Sequence, residues 1–205
     1  MKLAKIKLNA KNIDATIEFI TNKFGKVDSV VELNPLNFPF RVFIQNPTDE
    51  KPYYTLITLG VQLIKNKMNL KKLEGWEFFM RLPPNWIVPD EPSDESAWPF
   101  FILESFVSIM LKNSPIIPAL TTLEFKELGK NSKQNIAIAD FPSCFGEDYP
   151  ILTIKKKDIA YLEIQTLYRE EFLHNQSNHD ILEYIYQLPY IDLNRKNFIV
   201  NNKEE

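Results

Sequence analysis

The sequence predicts an α/β domain of the mixed α+β kind, a single domain with a central mixed β-sheet flanked by helices. Three observations carry this. The elements run helix, strands, helix, strands, helices, without the strict alternation that a doubly wound sheet requires. The runs 53–59 and 159–166 are too apolar for a surface and belong in the sheet. No linker-like Gly/Ser stretch or internal repeat divides residues 1–205, so one domain is expected, with its core at about 12–198 and a polar tail at 199–205.

Each element has a local cause. Ile13, Ile17, Ile20 and Phe24 recur at helical spacing, with Asn12 placed to cap the start and Gly25 to close the end. Val27 to Leu33 reads as a strand, stopped by Asn34-Pro35. Phe40, Val42 and Ile44 alternate with Arg41 and Gln45, and Tyr53 to Leu59 is β-branched and aromatic, so the two runs predict a hairpin closed by Gly60. A further strand, Glu77 to Leu82, ends at Pro83-Pro84, because proline removes a ladder donor.

Next, Ser96 can cap a helix with Pro99 in its first turn, and Trp98, Ile102, Phe106, Ile109 and Met110 form its apolar face as far as Asn113. Thr121 to Phe125, Ile136 to Ala139, Ile151 to Ile154 and Ile159 to Leu167 are strand candidates, with the lysines 155–157 forming a turn between the last two. Two helices finish the domain, one through Glu170, Glu171 and Phe172, the other opened by Ser177 and carrying Ile181, Leu182, Ile185 and Leu188.

Charge and composition exclude several functions. With 24 basic and 27 acidic side chains the net charge is −3, which leaves no excess to neutralise phosphates, so nucleic acid is not the expected ligand. The lysine-bearing start offers no apolar signal core, and the longest nearly apolar stretch, Ala97 to Leu111, is too short and polar to span a bilayer. A single cysteine, Cys144, allows no internal disulfide and fits a reducing, cytoplasmic location.

Catalytic signatures are equally sparse. His174 and His179 with Cys144 fall short of the four ligands of a structural zinc site. Phosphate-binding glycine loops and the G-x-S-x-G elbow are absent. Cys144 reads either as a small loop residue or as a nucleophile awaiting a distant histidine. Glu170 and Glu171 diverge by about 100° on a helix and cannot converge on one bond. Neither a metal nor an organic cofactor is expected.

The segment after Leu82 holds the candidate partner-binding residues. Asp90, Glu91, Asp94 and Glu95 lie among prolines and are flanked by Trp86 and Trp98. The carboxylates can meet a basic partner or a cation, or form a solvated loop. The tryptophans can anchor a partner or pack the loop onto the domain.

Five stretches resemble one family. Tyr53 to Gly60 (YYTLITLG), Trp76 to Trp86 (WEFFMRLPPNW), Trp98-Pro99 at a helix start, Tyr161 to Glu171 (YLEIQTLYREE) and Ile191 to Lys196 (IDLNRK) are similar in order and spacing to the suppressor-of-fused domain, over residues 30 to 198. The resemblance implies a mixed α/β domain that works by binding proteins. Bacterial members of that family are associated with polymorphic toxin systems as immunity proteins, and the animal members restrain a transcription factor. The animal proteins carry an additional C-terminal domain and grip their ligand peptide between the two. This chain ends at Glu205, and its segment 120–131 departs from the ligand-contacting pattern, so no binding residue carries over. The resemblance together with the composition gives a non-catalytic immunity protein that neutralises a cognate toxin by direct binding. The alternatives are a small cytosolic hydrolase and an adaptor that sequesters a regulatory protein.

Overall fold

The computed structural model describes residues 10–64, 73–91, 94–112, 121–128, 132–142, 148–178, 183 and 188–201. It opens with helix α1 (Ala10–Lys23), followed by β1 (Ser29–Leu33), β2 (Phe40–Gln45), β3 (Tyr54–Leu59) and β4 (Leu73–Leu82). Helix α2 (Trp98–Lys112) precedes β5 (Thr121–Glu124), β6 (Ile136–Asp140), β7 (Ile151–Ile154) and β8 (Lys157–Leu167). Helices α3 (Arg169–Asn178) and α4 (Phe198–Asn201) follow. Eight strands form one sheet in the order β1-β2-β3-β4-β8-β6-β5, with β7 paired to β8 off that path.

The sheet is mixed. β1 to β4 are an antiparallel meander, β8 joins β4 in parallel, and β6 and β7 are antiparallel to β8. The expected hairpin of β2 and β3 is present, with Val42 opposite Thr58 and Ile44 opposite Leu56. Both runs assigned to the sheet interior are there, as β3 and β8. β8 bridges the two halves of the chain and is buried from Ile159 to Leu167, polar Glu163, Gln165 and Thr166 included.

Side-chain alternation sorts the core onto two faces. On one face Val42, Ile44, Leu56, Phe78, Met80, Leu162 and Ile164 pack with Ile102, Leu103, Phe106, Val107 and Met110 of α2. On the other, Phe43, Ile57, Phe79 and Tyr161 pack under Ile20 and Phe24 of α1. A smaller cluster of Ile136, Ile138 and Leu167 meets Phe172 of α3 and Phe198 and Ile199 of α4. A buried polar group lies on this second face: Arg81 Nε donates to Glu163 Oε1 at 2.7 Å, and Gln165 Nε2 donates to the same oxygen at 2.8 Å.

Several local expectations need correction. α1 begins at Ala10, so Asn12 is inside the helix and is not its cap, and Ile17 is 37 % exposed while Thr16 takes the buried position. Gly25 does close the helix at φ +123, donating its N–H to the carbonyls of Ile20 and Thr21. The strand predicted from Val27 begins at Ser29. Ser96 lies within a 3-10 turn, Glu95–Ala97, that runs into α2, so the start falls at Asp94. The lysine turn is as expected: Lys155 and Lys156 take φ +53 and +70, the left-handed pair that a two-residue hairpin needs. Ser177 lies within α3 and does not open a new helix; Cys144, His179 and most of the residues assigned to that helix lie outside the described residues. No helix among the described residues is long and apolar enough to cross a membrane.

Candidate functional site

Helix α2 presents two unlike faces. Positions 102, 103, 106, 107 and 110 are buried against the sheet. The opposite stripe, Phe101, Glu104, Ser105, Ser108 and Lys112, lines an open groove of about 1050 Å³. Two further segments border it: the 3-10 turn Pro35–Asn37 that follows β1, and residues 123–128 at the end of β5. β1 and β5 are the two opposite ends of the strand order. Segments adjoining both edges reach one groove along α2, as the twist of a long sheet allows.

The groove is apolar inside and acidic at its border. Leu36 is 50 % exposed and Phe101 49 % exposed, unusually open for side chains of their size. Leu36 and Asn37 hold φ of +52 and +61, a left-handed conformation that costs a branched side chain about 1–2 kcal/mol. Asp94, Glu95, Glu104, Glu124 and Glu127 face Lys112 as the only lysine or arginine among the described residues that line the groove. Arg169 Nη1 lies 3.0 Å from Glu124 Oε1, so that charge is answered. Among the described residues Glu104 and Glu127 form no ion pair. Partial burial raises the Glu104 carboxyl above its ordinary value.

The residues singled out from the sequence divide among three places. Asp94, Glu95 and Trp98 line the groove. Asp90 and Glu91 line an adjoining depression of about 240 Å³, which also contains Phe101 and Glu104. Trp86 is 7 % exposed and belongs to the core, its ring set edge-on to Tyr54 at 5.3 Å. Its Nε1–H donates to the Ser96 carbonyl at 2.8 Å and thereby ties the acidic loop to the domain. Trp98 is half-buried against the core.

Asp94 has a second task. Its Oδ2 accepts the backbone N–H groups of Asp90 and Glu91 at 2.9 and 3.1 Å, closing the loop upon itself. Sequence reasoning did not reach Leu36, Phe101, Glu104 or Glu127. A signal for two of them exists: Phe101 is a large apolar residue on the outward face of an amphipathic helix, and Leu36 stands within turn residues.

Elsewhere the notable polar groups are structural. Glu171 faces inward and takes Arg195 Nη1 and Nη2 at 2.6 and 2.7 Å, while Glu170 is exposed, so the adjacent glutamates diverge as the helix geometry requires. Arg195 in turn lies over the rings of Tyr168 and Phe198. His174 is exposed on α3. Among the described residues no group of three His, Cys, Asp or Glu side chains could hold a metal ion.

No protein-family model matches the chain, and no curated protein matches it. Solved structures do. The chain is similar to one in a Sufu–Fu complex (TM-score 0.63, 11 % identity, 93 % of this chain and 91 % of that one). It is also similar to a suppressor of fused homologue from Neisseria gonorrhoeae (TM-score 0.61, 13 % identity, 90 % and 94 %). A third is Drosophila Suppressor of Fused (TM-score 0.55, 11 % identity, 86 % of this chain and 46 % of that one). At these identities the likeness is one of fold, and the mixed α+β fold is suppressor-of-fused-like, as the sequence motifs implied.

Proposed function

We propose that this domain is a non-catalytic, protein-binding domain whose partner is a toxin of a bacterial polymorphic toxin system, neutralised in the cytoplasm by direct binding. The observation that carries the reading is the groove along α2, which combines exposed Phe101 and Leu36 with an acidic border. Exposed apolar surface edged by charge is the usual anatomy of a protein-binding patch. The fold supports the same reading, since one similar chain was crystallised in a complex of two proteins. The interface takes in Asp90, Glu91, Asp94, Glu95 and Trp98, with Trp86 supporting the loop from behind. The immunity role rests on the sequence resemblance.

Two steps test the reading. The full chain is used as bait in its native cell extract, and the copurifying protein is identified. That protein is then expressed in a bacterial host with and without the chain. Growth arrest by the partner, relieved by coexpression, is the expected result. A partner that is harmless alone would replace immunity with sequestration of a regulatory protein, and the absence of any partner would end the protein-binding reading.

A further inference from the structure

We propose that the groove along α2 holds a cationic amphipathic segment of the partner protein, with apolar side chains on Trp98, Phe101 and Leu36 and lysines or arginines over Glu104 and Glu127. The proposal rests on the protein-binding reading above and adds the site and the chemistry of what fills it. Among the described residues five carboxylates line the groove against one lysine, and Glu104 and Glu127 have no cation of their own. Glu104 is already partly desolvated on the helix, so an occupant that covers it must bring a positive charge or leave a carboxylate buried unpaired. An acidic or neutral segment would do the latter.

Shape narrows the occupant further. The groove is long, following α2 from Trp98 to Lys112, and is open on its outer side, which suits a stretch of chain better than a small molecule. Its apolar wall at Leu36 is held in a left-handed turn at φ +52, with the side chain half exposed. Opposite charge would speed docking, and the apolar contacts would then slow release.

The test uses the full chain and two fluorescent synthetic peptides with the same leucine and phenylalanine face, one carrying lysine and arginine on its other face and one carrying glutamate. Fluorescence anisotropy is expected to give saturable binding of the cationic peptide, about tenfold or more tighter than the acidic one, and weakening as salt is raised. Neutralising the free carboxylates in a Glu104→Gln/Glu127→Gln variant should weaken the cationic peptide about tenfold, and Phe101→Ala should weaken both peptides, with thermal melting confirming that each variant is folded. Glu127→Lys alone, at an exposed position, serves if the double variant melts early.

Equal binding of the two peptides, equal binding by wild type and variants, or no binding overturns the groove proposal. So does self-association in sedimentation that the same substitutions abolish, which would give the groove to a second copy. None of these results touches capture of the native partner. A variant that still captures it would leave the protein-binding reading standing and move the interface elsewhere.

Discussion

Glu77 should make this protein less stable as pH rises through the weakly acidic range, and Glu77→Gln should remove that dependence. The carboxyl is fully buried in β4, on the face packed under α1, directly across from Tyr161 of β8. The donors that reach it include the Thr58 hydroxyl at 2.5 Å, the Gly60 N–H at 2.8 Å and the Gln62 N–H at 3.2 Å, with the Val61 backbone acting in the same sense. These bonds favour the charged form, but no cation is among the causes that act on this carboxyl, and burial outweighs the bonds. The carboxyl is pushed from 4.5 up to about 7.

The sign follows from proton counting. Between about pH 4.5 and 7 the folded chain keeps a proton that the unfolded chain has lost, so raising the pH favours unfolding. At about 1.4 kcal/mol for each pH unit the full loss is about 3 kcal/mol, present below the lower value and gone above the upper. Exposure of the side chain is 0 %, so solvent screening takes little from that figure. Glutamine keeps an acceptor for Gly60 and cannot ionise. Urea unfolding of both proteins across this range isolates the effect, because every other titrating group is common to the two. The stability of Glu77→Gln relative to wild type should climb by about 3 kcal/mol as pH rises from about 4.5 to above 7. A difference that stays flat over that window refutes the argument, since it would mean that the charge is solvated in the folded state.

Three further outcomes are expected. Arg195→Ala leaves the buried Glu171 carboxylate without its bidentate partner and should cost about 3–5 kcal/mol in urea unfolding; a loss below about 1 kcal/mol would show that water replaces the guanidinium. Gly75→Ala should cost about 1–3 kcal/mol by the same measurement, because its new Cβ would lie 2.9 Å from both the Cβ and the carbonyl oxygen of Gln62; an unchanged stability would mean that the turn after Gly60 moves aside freely. Trp86→Phe keeps an aromatic side chain but loses the five-membered half of the buried indole and with it the donor to Ser96, so it should lower stability by at least about 1–2 kcal/mol and speed hydrogen exchange in the 87–97 segment; exchange as slow as in wild type would show that the loop is held by other contacts.

Most of the fold was legible because its signals are local. β3 and β8 announce themselves by apolar runs, Gly60 by a turn at φ +115, and α2 by a stripe with proline in its first turn. What the sequence concealed were boundaries and long-range pairing. α1 starts ahead of Asn12 although asparagine is a good cap, and the start before α2 slips from Ser96 to Asp94, whose carboxylate binds the loop behind it while its carbonyl accepts the Ala97 N–H. The parallel pairing of β4 with β8 joins residues more than eighty positions apart, and no pattern within either strand encodes it. Glu171 could be read only as half of a diverging pair of glutamates, because the partner that makes it structural, Arg195, lies 24 positions away.

The groove was half visible for the same reason. Asp90, Glu91, Asp94, Glu95 and Trp98 stood out in the sequence because they crowd into one polar segment; of these Asp94, Glu95 and Trp98 line the groove, and Asp90 and Glu91 the depression beside it. Phe101, Glu104 and Glu127 become part of the same surface only when α2 lies along the sheet and segments adjoining its two edges reach a common groove. The two tryptophans beside that segment show how far composition can go. Both flank the acidic residues in sequence, yet Trp86 follows the proline stop of β4 and turns inward to bond Ser96, whereas Trp98 begins a helix at the border of the groove. A large ring next to charges is therefore ambiguous until its backbone is placed. The distinction matters for any test of binding. Replacing Trp86 alters the loop from below, and reversing Asp94 removes an acceptor that holds the loop together, so a lost partner in either case would report loop structure. Glu104 and Glu127 bear no such duty among the described residues, and their substitution reads the groove itself.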